Sequence, residues 1–197
     1  RLVTSNPELL PGTSVSRCSQ FALRPAALPA LEGHAAAVAE ATGEVLAAPP
    51  QARTGAALRL ARRLQALLRE TREQIDSEIS AAFKEEKKRL GDTADEQWIA
   101  DEEARLKALL EARALAARTR LAGVVAERAA DVLRSRHGVA ALQFPTLSDE
   151  SHRLAASLDD TALLRVLDAA AQLRVFLDRN VKEDLAIEAG CLALARP

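Results

Sequence analysis

The sequence contains no methionine and no tyrosine, and its 197 residues include only four phenylalanines and one tryptophan. Aromatic residues make up 3% of the chain, whereas hydrophobic residues make up 48%, so alanine, leucine and valine must supply the core. Alanine and leucine favour helices, and little β-branched or aromatic material is left to build a large sheet. The composition therefore predicts an all-α protein, with a chain long enough for one or two compact domains.

Cysteine is also scarce, since only Cys18 and Cys191 occur, far apart in the sequence. No C-x-x-C pair and no Cys/His cluster is present, so we expect no zinc or other metal site in this chain. Two isolated cysteines are typical of reduced, buried thiols in a cytosolic protein. Because the sequence has neither a signal peptide nor an apolar run long enough to span a bilayer, we expect a cytoplasmic protein with no membrane partner.

No strong excess of either charge and no catalytic motif are visible. The chain has 27 basic and 28 acidic residues, so no overall basic field would recruit DNA. The three histidines, His34, His137 and His152, are scattered without a partnered nucleophile, and we expect surface or capping roles. The acidic pair Asp159-Asp160 and the run at residues 101–103 are interpreted as a helix cap and a helix start, with metal ligation as the alternative.

A methionine is also missing from position 1, where Arg1 opens directly on an apolar segment. We therefore expect a fragment, or a chain numbered from an internal residue. Residues 1–5 (RLVTS) are weakly strand-like, and an Ala-rich helix is predicted over roughly residues 30–46. The sequence Ala48-Pro49-Pro50 indicates a break and a plausible domain boundary.

Two long helices dominate the middle of the chain. The first is predicted from about Ala56 to Leu90, and its apolar residues recur in steps of three and four, with Thr71 in one gap. The second is predicted to end near Arg136, before the helix-terminating pair His137-Gly138. The apolar seams are Ala57, Ala61, Leu64, Leu68, Ile75, Ile79 and Phe83 in the first, and Leu106, Leu110, Ala114, Ala117, Leu121, Val125, Ala129 and Val132 in the second.

The turn at Gly91-Asp92, followed by a capping box from Thr93 to Glu96, predicts that these helices form a long antiparallel hairpin over about residues 56–136. Each arm would reach on the order of 50 Å. The tip, residues 84–103, is densely charged and is expected to protrude into solvent. Its basic residues alternate with Glu85 and Glu86, which is more typical of a solvated helix face than of DNA binding.

Three shorter helices are predicted beyond the hairpin. Ser148 is expected to cap the first, which runs to Leu158, and Asp160 to cap the second, from Thr161 to about Asn180. The last is predicted over about residues 183–195.

Both ends of the chain resemble one family. Residues 2–11 (LVTSNPELLP) are followed by residues 13–21 (TSVSRCSQF), which contain Ser16-Arg17-Cys18. This pair of motifs resembles the sensor-1 segment and the Ser-Arg-Cys loop of bacterial clamp-loader subunits of the AAA+ class. Residues 163–169, and Asn180-Val181 with residues 185–192, are similar to the C-terminal helices of the delta-prime subunits. The sequence resembles the C-terminal part of a DNA polymerase III clamp-loader subunit, delta prime.

The resemblance implies three regions. Residues 1–26 would be the end of the AAA+ module, residues 27–50 a shortened lid helix and linker, and residues 51–197 a helical collar domain that carries the long hairpin. In the family, the collar packs in a ring with the delta and gamma/tau subunits. The chain is therefore expected to belong to a hetero-oligomer that reaches the sliding clamp and primed DNA through the complex.

The resemblance also implies site residues. Arg17 would be an arginine finger that acts in trans on ATP bound by a neighbouring subunit, with Ser16 setting the loop and Cys18 packing beneath it. Thr4 would be a vestigial sensor-1 residue. Any phosphate-binding loop would lie before Arg1, so the chain is expected to bind no cofactor and to catalyse no reaction by itself. An ordinary surface salt bridge is the alternative for Arg17.

Several departures from the family pattern leave other assignments open. The lid region is short, no sensor-2 arginine can be placed, and Lys182-Glu183-Asp184 replaces the usual Asn-Pro-Arg. One alternative is a helical-hairpin scaffold or adaptor without a nucleotide partner. Another is the gamma/tau subunit, which a phosphate-binding loop upstream of Arg1 would favour. The hairpin is either a grip for a partner, such as a single-strand-binding protein or polymerase, or a spacer.

Overall fold

The structure is a computed structural model and describes residues 31–91, 96–178 and 182–196. In these ranges the chain is all-α, as its composition predicts, with one short 3-10 turn at Pro145–Leu147 and no strand. The strand predicted at residues 1–5 lies outside the described residues. The helices are α1 (Leu31–Ala47), α2 (Pro50–Leu90), α3 (Glu96–Arg136), α4 (Ser148–Ser157), α5 (Asp160–Asp178) and α6 (Glu183–Leu194).

The start of α2 differs from the sequence prediction. The helix begins at Pro50 instead of Ala56, and Pro49 is its N-cap. Proline suits the first helical position because the missing N–H would have no partner within the helix and the fixed φ angle is already helical. The two prolines therefore start the long helix, and only Ala48 and Pro49 separate it from α1.

Two predicted caps are wrong. Ser148 already has helical backbone angles, with φ −57° and ψ −50°, because the 3-10 turn leads directly into α4. Asp160 is the first residue of α5, and the capping bond is made one position earlier, where Asp159 Oδ1 accepts from the backbone N–H of Ala162 at 2.7 Å. Sequence alone does not distinguish adjacent capping candidates, since either residue type suits the position.

The predicted end of α3 at His137-Gly138 is confirmed. Gly138 has φ +70°, a left-handed conformation that glycine adopts without the steric cost of a Cβ atom. The N–H of Gly138 bonds to the carbonyl of Ser135, and the N–H of Val139 bonds to that of Arg134 at 2.9 Å. This pair of bonds is a Schellman motif, which satisfies the last carbonyls of the helix.

The two long helices lie side by side and antiparallel. Near the end of α2 and the start of α3, the rings of Phe83 and Trp98 stack with a centroid distance of 6.3 Å. Closer to the core, Arg72 bonds to Glu111, and Arg113 lies 3.6 Å from Glu78. The shorter helices complete the bundle: α1 contacts both long helices, α4 and α5 pack on α3, and α6 packs on α2 and α5.

The apolar seams predicted from sequence form much of the core. In α2, every predicted seam residue from Ala57 to Ile79 is buried, and Phe83 is partly buried. In α3, the seam is buried from Ala117 to Val132 but only partly buried at Leu106, Leu110 and Ala114. Helix α1 contributes Val38, Ala39 and Val45 to the same core, so the described residues show one core on both sides of Pro49.

The outer part of the long helices lies away from this core. Among the described residues between 80 and 116 none is buried, and this stretch includes the predicted charged tip. With 41 residues each, α2 and α3 are about 60 Å long. The described helices include none that is long and apolar enough to cross a membrane.

Helices α5 and α6 approach each other closely at a glycine. A Cβ atom on Gly190 would lie 2.6 Å from Cδ1 and 2.9 Å from Cβ of Leu173. Leu173 is fully buried, so its side chain has no free space to enter. The absence of a side chain at Gly190 therefore sets the distance between these helices.

Replacing Gly190 by alanine should separate α5 from α6 and lower the free energy of unfolding by about 1–3 kcal/mol, as overpacking of a core does. Gly123→Ala is the matched control, because a Cβ there meets nothing within 4 Å and should stabilise α3 by up to about 1 kcal/mol. Urea unfolding followed by circular dichroism measures both. Equal stabilisation by the two substitutions would contradict this packing.

Candidate functional site

All four site residues predicted from the resemblance, Thr4, Ser16, Arg17 and Cys18, lie outside the described residues. The most concentrated polar chemistry that the structure does describe lies on the last turns of α3. There the side chains of Arg128, Asp131 and Ser135 are buried within the apolar core, together with Ser151 of α4.

Arg128 is fully buried and connects α3 to α4. One terminal nitrogen, Nη1, donates to Ser151 Oγ, and the other, Nη2, donates to Glu150 Oε2 at 2.8 Å. The Ser151 hydroxyl in turn donates to the carbonyl oxygen of Leu147 at 2.9 Å. A buried cation is tolerated only with such partners, because the cost of removing it from water is several kcal/mol.

A glycine of α1 gives the Glu150 carboxylate its place. A Cβ atom on Gly43 would lie only 2.6 Å from Glu150 Oε1. Because Gly43 has no side chain, the carboxylate can lie against α1 and still accept from Arg128. The ion pair therefore joins three helices, α1, α3 and α4.

Asp131 is also fully buried, and it fixes the loop that follows α3. Its Oδ1 accepts from the backbone N–H of Gln143 at 3.0 Å, and its Oδ2 from that of Phe144 at 2.8 Å. Arg134 adds an ion pair to Oδ1 at 2.8 Å. These bonds satisfy backbone donors that lie in no helix.

A third set of polar contacts, centred on Arg136, lies at the surface beside this network. Arg136 Nε donates to Asp160 Oδ1 at 2.6 Å, and Arg136 Nη1 donates to the carbonyls of Ala155 and Leu158. His137 Nε2 lies 3.2 Å from the other Asp160 oxygen. Together with the exposed His152, these residues line a shallow depression of about 520 Å³.

This arrangement holds structure together and does not resemble a catalytic centre. Both oxygens of Asp131 and both terminal nitrogens of Arg128 are used by the fold itself. Within the described ranges, no three His, Cys, Asp or Glu side chains are grouped so that they could hold a metal ion. On α6, burial raises the pKa of the Cys191 thiol to about 12, so this thiol is protonated and unreactive at neutral pH.

The remaining ionisable candidates have structural roles as well. His34 is partly buried instead of lying at the surface: its Nδ1 donates to Thr71 Oγ1 at 3.1 Å, because that hydroxyl already donates to the carbonyl of Leu67. Near the tip, a hydrogen bond from Arg105 lowers the pKa of Glu102. His137 and His152 are exposed, as expected.

The spacing of three polar residues in α3 is a sequence signal for the buried network, although the apolar pattern around them makes it easy to miss. Arg128, Asp131 and Ser135 follow one another at steps of three and four, so they share one side of α3. That side is continuous with the apolar seam through Val125 and Val132. Polar residues at core-facing positions need partners from elsewhere in the chain.

One exposed apolar surface also stands out. On α5, Leu164, Ala171 and Val175 lie at steps of seven and four, on the side that faces away from the buried Ala170, Leu173 and Leu177. Leu164 is 53% exposed and Val175 38% exposed. We call these three residues the outer face of α5. A helix that is apolar on two opposite sides has one side available for another molecule.

No family model, curated protein or solved structure matches this chain.

Replacing Arg128 by alanine should destabilise the fold by about 3–5 kcal/mol, since it leaves the Glu150 carboxylate without its cation and a cavity in the core. Glu150→Ala should also be destabilising, because it leaves a buried cation with only a hydroxyl partner. Arg120→Ala is the matched control: its pair with Glu127 is at the surface and should contribute less than about 1 kcal/mol. Thermal unfolding compares the three, and a similar loss for Arg120→Ala and Arg128→Ala would rule out the assigned role of Arg128.

Proposed function

We propose that this chain is the C-terminal part of a clamp-loader delta-prime subunit, which acts as a stator and supplies an arginine finger to a neighbouring subunit. The observation that carries the proposal is the order of two motifs, the segment at residues 2–11 and then Ser16-Arg17-Cys18. The similarity of residues 163–169 and 180–192 to the delta-prime ending supports it.

The proposed chemistry lies in Arg17. Its guanidinium is planar and permanently charged, so it can bond two phosphate oxygens at once. Placed against the γ-phosphate of ATP on the next subunit, it would stabilise the charge that grows in the transition state of hydrolysis. Ser16 and Cys18 would position its loop, while Thr4 would have no catalytic task. The ATP belongs to the neighbour, so this chain contributes a side chain to a reaction that it does not complete alone.

In this proposal, the helices from residue 51 onward form the collar domain, and α2 with α3 forms its long hairpin. A collar holds a ring of subunits together through surfaces that remain apolar on each protomer. The outer face of α5 fits that task, because it is apolar and lies away from the core of its own chain. Complex assembly would place the delta or gamma/tau collar against it.

An adaptor without a nucleotide partner is the second candidate. It is favoured by the length of α2 and α3, whose outer parts contact each other but bury no residue in the core. Deletion of residues 84–103, which removes the tip, tests whether the tip is needed. Loss of clamp loading with intact assembly would assign the tip a partner, and unchanged loading would make it a spacer.

Replacing Arg17 by alanine in the full-length protein should lower DNA-stimulated ATP hydrolysis and clamp loading by the reconstituted complex at least about tenfold. The reason is that an arginine finger accelerates hydrolysis at its own site by about 10³–10⁵. Clamp loading on primed DNA and phosphate release are the measurements.

Arg24→Ala is the matched control, because it removes the same charge from the same part of the chain. Both variants should still assemble, as size-exclusion chromatography of the complex would establish. Undiminished activity with Arg17→Ala would disprove the finger assignment. An equal loss in both variants would disprove it too.

Replacing Leu164 and Val175 together by serine should weaken assembly with the delta and gamma/tau subunits about tenfold or more, since buried apolar side chains at an interface contribute about 1 kcal/mol or more each. Leu115 and Val139, both 47% exposed, provide the control double variant. Analytical ultracentrifugation measures assembly, and circular dichroism verifies folding. Normal assembly of the α5 variant would exclude this face as the subunit contact.

A further inference from the structure

The core-bound half of α2 carries a stretch of sequence that is basic and has no acidic residue within it. Residues 45–69 contain five arginines and no aspartate or glutamate, although acidic residues slightly outnumber basic ones in the whole chain. Four of the five, Arg59, Arg62, Arg63 and Arg69, are exposed. We call these four residues the arginine face.

Their pairing differs from that of most arginines in the described part of the chain. Nine arginines outside the arginine face lie within ion-pair distance of a carboxylate. Arg62, Arg63 and Arg69 have no such partner and no hydrogen bond among the described residues. Arg59 has only a loose pair with Glu44 at 3.9 Å, and both side chains are more than half exposed, so it is barely neutralised.

The helix holds these charges in a row. Arg59, Arg62 and Arg69 are separated by three and seven positions, so they lie on one side of α2, opposite the buried Leu60 and Leu64, and Arg63 flanks them. From Arg59 to Arg69 the row covers about 15 Å. It ends where α2 becomes acidic, at Glu70, whose Oε2 lies 3.8 Å from His34 Nε2, and at Glu73.

We infer that the arginine face binds the phosphate backbone of double-stranded nucleic acid without reading its sequence. A duplex presents one negative charge per about 1.7 Å of its axis, so a straight row of guanidinium groups meets several phosphates at once, and each group can bond two oxygens. The near-neutral remainder of the surface adds no general attraction, so binding is confined to this face.

Other polyanions fit the face less well. Proteins that hold single strands use exposed aromatic rings on which the bases stack, and no aromatic residue occurs between residues 45 and 69. Acidic peptides are commonly fixed by an apolar anchor in a pocket beside the charges. Between the arginines, the exposed apolar residue is Ala66, whose methyl group is too small for that purpose.

The test is fluorescence anisotropy of a labelled 20-base-pair duplex with the full chain, from 50 to 200 mM salt. The wild type should bind with a dissociation constant of about 10⁻⁴–10⁻⁶ M, as non-specific DNA binders do. The triple variant Arg62→Gln, Arg63→Gln, Arg69→Gln should bind at least about tenfold more weakly, and the slope of log K against log salt should become shallower by about 2.7 units. Glutamine keeps the helix propensity of arginine, and circular dichroism verifies folding.

The matched control replaces Arg153, Arg165 and Arg174 by glutamine. These arginines are exposed and have no ion pair among the described residues, and the net charge changes equally. The control variant should bind as the wild type does. An equal loss in both triple variants, no binding by the wild type at 50 mM salt, or tighter binding of a polyglutamate peptide than of the duplex would each overturn the assignment. No other subunit takes part, so the result is independent of the Arg17 experiment.

Discussion

Small side chains bring the helices of this chain close together. Ala56, Ala57 and Ala61 are buried along α2, and Gly190 of α6 lies directly against Leu173 of α5. Each small residue buries little apolar area, so the free energy of folding must come from many contacts at short range. Fully buried leucines such as Leu60, Leu121 and Leu163 fill the space between them, so the distances between helices are sensitive to single methyl groups.

Apolar contact alone would hold the shortest elements weakly, and polar bonds compensate for this. Helix α4 has ten residues and buries only Ser151, Leu154 and Ala155. It is held through Arg128, which would be left as a buried charge with no acceptor if α4 moved away. Asp131 does the same for the loop after α3. The end of α3, the loop and α4 therefore move as one unit or not at all.

The sequence allowed the seams of α2 and α3 to be predicted because apolar residues at steps of three and four face a core whatever that core contains. Arg128 and Asp131 could not be predicted in the same way. A charged residue in a helical pattern normally faces solvent, and its burial depends on partners 12 to 23 positions away. The start of α2 was missed because Pro49-Pro50 can either separate two elements or begin a helix, and only the tertiary structure selects between them.

Two of the surfaces to which we assign a function lie on the same helix, α2. One continuous helix carries the arginine face in its core-bound half and the charged tip at its other end. Residues 56–90 contain neither proline nor glycine, and these are the usual causes of a sharp bend. Paired with α3 through Arg72–Glu111 and Arg113–Glu78, the helix has little freedom to bend between its two ends. A partner that orients one half of α2 therefore also determines where the tip points, since Leu90 lies only about 17 Å beyond Ile79, the last buried residue of this helix.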